Sequence, residues 1–310
     1  MENAYKIKKT SRFASVFQKI GPYLFLTIGG IVMVYPFVYS LLGSLCSVEE
    51  YKASLLLPIP KQPWTKLGNY AILFKAETDI LFPMFLTVSR MVVGFVVSVF
   101  VSSFGGYVFA KVNFKYKRIV FTILLSSTMI PGVAMMVPNF IWMSKFPLVG
   151  GNNILGDGGT GWVDNPGVLY ITGWVSAYSI FLFRQCFVSL GNDMAESGEI
   201  DGASFVRIVL QLYLPLVRPI FSMMILNTFV ANWNDYMTSL IMLPSKTEYR
   251  LLATTSATLM ELFSNPQRFG GADYPKTFAI ATVMMIPPLI VYLLVQKQFV
   301  EGLAMGAVKG

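Results

Sequence analysis

Residues 193–219 read DMAESGEIDGASFVRIVLQLYLPLVRP, and this stretch decides how the chain is read. It is a polar run between apolar segments that still carries signals of ordered structure. Asp193 with Glu196 three residues on has the spacing of a weak capping box. Asp201-Gly202 is a turn signal, because glycine reaches positive φ without steric cost. Ser204 is placed to cap a second helix. On that helix Phe205, Ile208, Val209 and Leu212 fall at i, i+3, i+4 and i+7, which is one face. Pro215 has no N–H and its ring clashes with the preceding turn, so the helix is expected to stop there. The pattern predicts helix, glycine turn, amphipathic helix, proline stop.

The chain around it is greasy. Of 310 residues 55% are apolar and 13% charged, with a mean hydropathy of +0.60; a soluble domain carries about 25% charged residues. A spanning helix needs ~20 apolar residues. Six apolar runs meet that length: 20–45, 82–110, 119–143, 167–190, 216–243 and 277–295. The first is too long for the core of a cleaved signal and has no A-x-A site, so it is expected to stay as a span. Leu45 stands before Cys46 where a lipidation site would carry a small residue. Gly94, Gly105 and Gly106 on the second run are expected to let neighbouring helices approach closely. Pro131 and Pro138 interrupt the third run, and Pro287-Pro288 the sixth, each an expected kink. Residues 47–81, 145–166 and 244–276 are read as polar loops. The expectation is an all-α polytopic membrane protein of six transmembrane helices.

Charge placement sets the orientation. With the N-terminus inside, the inner segments hold fourteen basic residues against six acids, and the outer loops nine against ten. The short hinge Lys111–Arg118 (KVNFKYKR) weighs most. The reading is N-in and C-in, in a bacterial-type cell membrane. Asp193, Glu196, Glu199 and Asp201 then put four acids on the cytoplasmic side. Anionic headgroups would repel them, so this segment is expected to face water or another protein. There is no histidine, which removes the usual zinc ligand and general base. Cys46 and Cys186 lie in separate segments and make neither a disulfide framework nor a metal site. No catalytic group and no nucleic-acid partner is expected.

The stretch resembles the EAA motif of type I ABC import permeases. Glu196 takes the glutamate, Ser197-Gly198 stand where two alanines are usual, Gly202 follows at the right distance, and Leu212 and Leu214-Pro215 close the pattern. The extended form, Ile-Asp-Gly-Ala-Ser, is present as Ile200 to Ser204 and includes Asp201 and Ala203. Phe183-Arg184-Gln185, Trp233-Asn234-Asp235 and the tail Gly302–Gly310 (GLAMGAVKG) are similar to the carbohydrate branch of that family, the maltose-permease MalG-like subunits. The resemblance covers roughly residues 80–310. It implies the type I importer fold, with a cytoplasmic N-terminal segment at 1–19, a first helix at 20–45, a core at 82–299 that contains a coupling segment at 193–215, and a cytoplasmic tail at 300–310. It implies a permease subunit of an ATP-driven, binding-protein-dependent importer of a di- or oligosaccharide. Its partners would be a second, non-identical permease, a cytoplasmic ATPase dimer that binds ATP and magnesium, and an extracytoplasmic solute-binding protein. In this family the tail reaches between the ATPase subunits, and the loop matching 244–276 reaches the binding protein. This chain would hold no cofactor. Gly198 departs from the pattern and lowers helix propensity by about 1 kcal/mol against alanine.

The fifth run carries Asn227, Trp233, Asn234, Asp235 and Tyr236, candidates for the pathway or an interface. Counted from Ile220, Asp235 lies roughly 22 Å along the helix, near its outer end, so a helix-end hydrogen bond competes with substrate contact. Trp233 reads as an interface anchor ahead of a sugar-stacking ring. Arg90 reads as snorkelling outward ahead of lining the path. The nearest thing to a phosphate loop, Gly271–Thr277 (GADYPKT), has Pro275 in place of the glycine before Lys-Thr. Two rivals stand: a type I permease for a non-sugar solute, and a stand-alone secondary transporter. A cysteine introduced in the 111–118 hinge is expected to react with an impermeant thiol reagent from the cytoplasmic side only. Labelling from outside would overturn the orientation.

Overall fold

The computed structural model describes residues 12–307 except 55, 76, 77 and 268–270, with side chains described from 20 to 297 apart from 218 and 219. Most of the N-terminal segment at 1–19, and the side chains of the tail at 300–310, lie outside the described residues. Every described element is helical. The main helices are α1 (Arg12–Ser44), α2 (Leu81–Lys111), α3 (Lys117–Ser126), α4 (Met136–Ser144), α5 (Ala177–Ser189), α6 (Asp193–Ile200), α7 (Arg218–Trp233), α8 (Leu252–Ser264) and α9 (Tyr274–Ala307). Among the described residues three helices are long and apolar enough to cross a membrane, Ile20–Ser44, Leu81–Lys111 and Tyr274–Lys297, and up to five if each of two bent pairs counts as one span.

The breaks have local causes. In the third run Ile130 and Pro131 are extended, with ψ of 121° and 133°, as proline demands of the residue before it. The helical arms on either side are bent by 101°. Pro138 sits in the first turn of α4, where a missing N–H costs nothing. The fourth run divides: a short helix Val168–Ile171 ends, Gly173 takes φ +84°, and Ser176 starts α5 by accepting the Ser179 N–H. The amphipathic helix that follows Ser204 does not stop at Pro215 as expected. A turn at Phe205–Arg207 widens into a π-helix over Ile208–Tyr213, tightens to 3-10 over Leu214–Val217 and continues as α7. Pro215 offers no N–H and crowds the carbonyl four residues back, so the ladder shifts register around it. The bend of 85° comes later, between Val217 and Ile220. Pro287 and Pro288 lie inside the unbroken α9.

Residues 244–276 are not a plain loop. They hold α8, where Leu252, Ser256, Leu259 and Phe263 are buried at helical spacing. The abundance of serine and threonine around them hid that periodicity.

Contacts divide the chain into two units, residues 1–72 with 262–285, and residues 73–261 with 286–310. In the first, a Cβ on Gly43 would stand 2.8 Å from the Phe278 ring. Tyr39 and Tyr51 pack edge-on and tilted against the same ring. Asn69 Nδ2 caps the end of α1 by donating to the carbonyls of Ser44 and Cys46, at 2.8 and 3.2 Å. In the second, α2 is the central helix and packs on α5. A Cβ on Gly106 would lie 2.4 Å from Phe183 Cβ and 2.9 Å from the Arg184 backbone N; one on Gly105 would lie 3.3 Å from Ile180. Gly94 has nothing within 4 Å, so only two of the three glycines make a close approach.

A single methyl at position 106 therefore has nowhere to go. Gly106→Ala is expected to cost about 1–3 kcal/mol and to lower the thermal midpoint of the detergent-solubilised protein by several degrees. Gly94→Ala is expected to leave it unchanged or slightly higher. Equal midpoints for the two variants would show that the α2–α5 approach does not limit stability.

Candidate functional site

The polar stretch folds as an ordered knob. α6 begins at Asp193, and its N-cap Asn192 is in the helical region with no side-chain cap. The Asp193–Glu196 capping box does not form; both acids sit in the first turn, where the helix dipole favours negative charge. The far end closes with a Schellman motif. Gly202 takes φ +74°, its N–H bonds the Glu199 carbonyl at 3.0 Å, and the Ala203 N–H bonds the Gly198 carbonyl at 2.8 Å. Ser204 then caps the next turn by accepting the Arg207 N–H.

Gly198 is the contact point with the second half of the segment. It is buried, and a Cβ there would stand 2.9 Å from Leu212 Cδ1 and 3.3 Å from Ile208 Cγ1. The residue that weakens the helix is thus the one that lets it lie flat on the π-helix. Ala195, Ile208, Val209, Tyr213 and Val217 join Tyr107, Phe183 and Phe187 in one core cluster. The knob is in this way continuous with α2 and α5. Leu214 is partly buried against this cluster, and Pro215 is exposed.

A polar clamp holds the entry to α6. Lys111, the last residue of α2, donates through Nζ to the carbonyls of Leu190 and Gly191 and to Asn192 Oδ1, the last at 2.8 Å. The Tyr213 hydroxyl donates to the Gly191 carbonyl at 3.0 Å, and Lys111 Nζ lies 5.6 Å from the Tyr213 ring centroid. Neither Lys111 nor Tyr213 stood out in the sequence. One is a member of a basic hinge and the other a position inside the motif.

The opposite face of α6 is open. Asp193, Glu196, Ser197, Glu199 and Asp201 are exposed, and among the described residues none of the four acids makes a salt bridge. Ile200 stands among them, 86% exposed. A large aliphatic side chain bare amid four carboxylates is a second feature that composition alone does not single out.

At the other end of α7 the candidate residues separate. Asn227, Asn234 and Tyr236 are exposed, whereas Trp233 is 3% exposed and stacks on Phe229, with ring centroids 5.2 Å apart and 14° between planes. Trp233 is therefore a packed ring in this chain and does not stand out as an anchor. Asp235 accepts from Arg90 Nη1 at 2.6 Å, and both side chains are largely buried. Arg90 does not snorkel outward: it spends its charge on Asp235 and also donates to Thr172 Oγ1 at 3.4 Å. Removing one member of such a pair leaves a buried charge alone, at a cost of about 3–5 kcal/mol. Asp235 also accepts the Thr238 N–H at 3.0 Å, the helix-end bond its position suggested. Among the described residues no cluster of acids and cysteines is placed to hold a metal.

Residues 98–304 match the family model described as binding-protein-dependent transport system inner membrane component. The chain is 30% identical over 291 residues to the arabinooligosaccharides transport system permease protein AraQ of Bacillus subtilis, covering 93% of this chain and 94% of that one. It is 25% identical to the lactose transport system permease protein LacG of Rhizobium radiobacter, over 93% and 95% of the two chains. It is 26% identical to the trehalose/maltose transport system permease protein MalG of Thermococcus litoralis, over 93% and 97%. Its fold resembles a chain of a bacterial ABC transporter involved in the import of the acidic polysaccharide alginate, with a TM-score of 0.75, 22% identity and coverage of 94% and 99%. The chain belongs to the family of binding-protein-dependent transport system inner membrane components, and its helices have the fold of a type I ABC importer permease.

Proposed function

We propose that this chain is one permease subunit of an ATP-driven sugar importer, and that α6 is the lever that couples it to a cytoplasmic ATPase. The observation that carries the coupling role is the two-sided build of α6. One side is locked to the core through Ala195 and Gly198; the other presents Ile200 amid four unpaired acids. A partner groove with an apolar floor and basic or N–H-rich walls complements that face. Because the Schellman closure and the Lys111 clamp fix both ends, a push on α6 is passed to the 205–217 segment and to the ends of α2 and α5 as a rigid-body movement. Glu196, Asp201 and Ser197 belong to the docking face. Gly198, Gly202, Ala203, Leu214 and Pro215 shape the lever.

The rest of the assembly follows from the same reading. ATP and magnesium are held by the partner ATPase dimer, and this chain holds no cofactor. A second, non-identical permease completes the pathway, and a solute-binding protein delivers the sugar from outside. The N-terminus and the tail are cytoplasmic, in keeping with the basic excess of the inner segments. The domain division is that of the family: a first helix at 20–45 preceded by a cytoplasmic segment at 1–19, a core at 82–299 around the 193–215 lever, and a tail at 300–310. Asn227, Asn234 and Tyr236, exposed in the single chain, face the partner permease or the pathway. Transport proteins for arabino-oligosaccharides, lactose and trehalose or maltose among the relatives support a di- or oligosaccharide as the cargo.

Membrane vesicles carrying the whole system are expected to accumulate sugar only when ATP is supplied. Accumulation driven by an ion gradient without ATP would sink the proposal in favour of a secondary transporter. ATP-driven uptake of a non-sugar solute alone would move it to the other rival. Within the lever, Gly202→Leu forces an L-residue into the left-handed region at about 1–2 kcal/mol. Ile200→Asp removes the apolar anchor. Both variants, and Glu196→Leu, are expected to insert normally yet lose most of the uptake and most of the co-purifying ATPase. Normal uptake and normal co-purification in all three would rule out docking through α6.

A further inference from the structure

A cleft of the larger unit lies where the fourth run is broken, with no residue of α6 in its lining. It has a volume of about 420 Å³, within the ~300–1,000 Å³ of small-molecule sites, and is open on one side. Its wall is Ile171, the last residue of the short helix, and the irregular backbone from Thr172 to Val175, and it is completed by α4 and the short helix Met237–Met242. Irregular backbone at membrane depth is tolerated where it lines a cavity or is buried in protein. Here α5 supplies thirteen residues between Ser189 and the break, about 20 Å of rise, so the break falls within the ~30 Å apolar layer.

The lining has the mixture that a saccharide requires. Trp174, 36% exposed, brings an indole ring to the lining. Asn139, Thr172 and Thr238 bring an amide and two hydroxyls to the same space, and methionines fill much of the remaining surface. There is no charged side chain in the lining. Sugars present apolar C–H faces to aromatic rings and hydroxyl edges to neutral donors and acceptors, and an ionic ligand would find no counter-charge here.

The buried ion pair described above holds this cleft together. Arg90 donates to the Thr172 hydroxyl, and Asp235 accepts the Thr238 N–H. One member of the pair thus fixes the broken fourth run and the other fixes the helix start opposite, with 2.6 Å between them. A pair expensive to bury sits where it sets the distance between two polar walls.

We propose that this cleft is a saccharide subsite of the pathway, with Trp174 as the stacking face and Asn139, Thr172 and Thr238 as hydroxyl partners. It rests on the sugar-importer reading and adds where in this chain the sugar is touched.

The test reconstitutes the complete transporter, with its partner permease, ATPase and binding protein, in proteoliposomes. ATP-driven uptake of radiolabelled lactose, trehalose, galactobiose and arabinotriose is measured, and assembly is followed by co-purification of the ATPase. The wild-type complex is expected to take up at least one of the four. Trp174→Ala is expected to reduce that uptake about tenfold, and Trp174→Phe to recover most of it. Thr238→Val and Asn139→Ala are each expected to reduce it about 2- to 10-fold; they carry the test if Trp174→Ala fails to assemble. Wild-type uptake with all assembled variants within about twofold would overturn the subsite and leave the importer reading standing. ATP-driven uptake of none of the four would overturn both.

Discussion

A helix that ends inside a protein leaves its last carbonyls without partners, and something must reach them. α5 ends at Ser189; the carbonyl of its C-cap Leu190, and that of Gly191 just beyond, are met by the ammonium of Lys111 and the hydroxyl of Tyr213. The same ammonium holds Asn192, the residue from which α6 starts. Three segments distant in sequence therefore converge on two backbone oxygens: the end of α2, the entry to α6 and the π-helix. The orientation of α6, and with it the presentation of Glu196 and Ile200, depends on that convergence. A flexible polar connection at the same place would let the knob swing without moving the helices behind it.

Small residues do complementary work at the two contacts that matter most. Gly106 brings α2 against the backbone of α5, and Gly198 brings α6 against Ile208 and Leu212. Both are close approaches in which the missing Cβ is the point, although one lies on a long apolar helix and the other on a polar knob. In the second case packing overrides intrinsic propensity, since a helix eight residues long carries a glycine at its buried face. The glycine stands where the motif that this stretch resembles has an alanine. Without a Cβ, α6 gains room to lie close to the segment that it would drive.

The breaks in the apolar runs have a shared logic. Proline at 131 removes a helical hydrogen bond, and glycine at 173 supplies a conformation that a helix cannot use. In a membrane such freed backbone groups need other partners or a wetted cavity. The fourth run answers with the cleft walled by Thr172 to Val175, braced by Arg90 and Asp235. The ionic pair is thus structural, and its place beside a break explains why so costly a burial persists.

Composition and local pattern were enough to read an all-helical membrane protein, the break at Pro131, the glycine turn at 202, the Ser204 cap and the buried stripe of Ile208 and Val209; the break at Gly173, the continuation past Pro215 and the unbroken helix through Pro287-Pro288 were not read. The features that were read depend on hydropathy, on φ restrictions and on i, i+4 spacing, all of which are properties of neighbouring residues. The family motif at 196–215 was legible for the same reason. What pairs with Arg90, why Gly198 is not an alanine, which groups Lys111 and Tyr213 hold, that Trp233 is buried against Phe229, and that α8 lies within a polar segment were decided only by tertiary structure. A charge, a ring or a missing methyl acquires its role from atoms brought to it by distant parts of the chain. Arg90 and Asp235 stand 145 positions apart, beyond the reach of any local window of sequence.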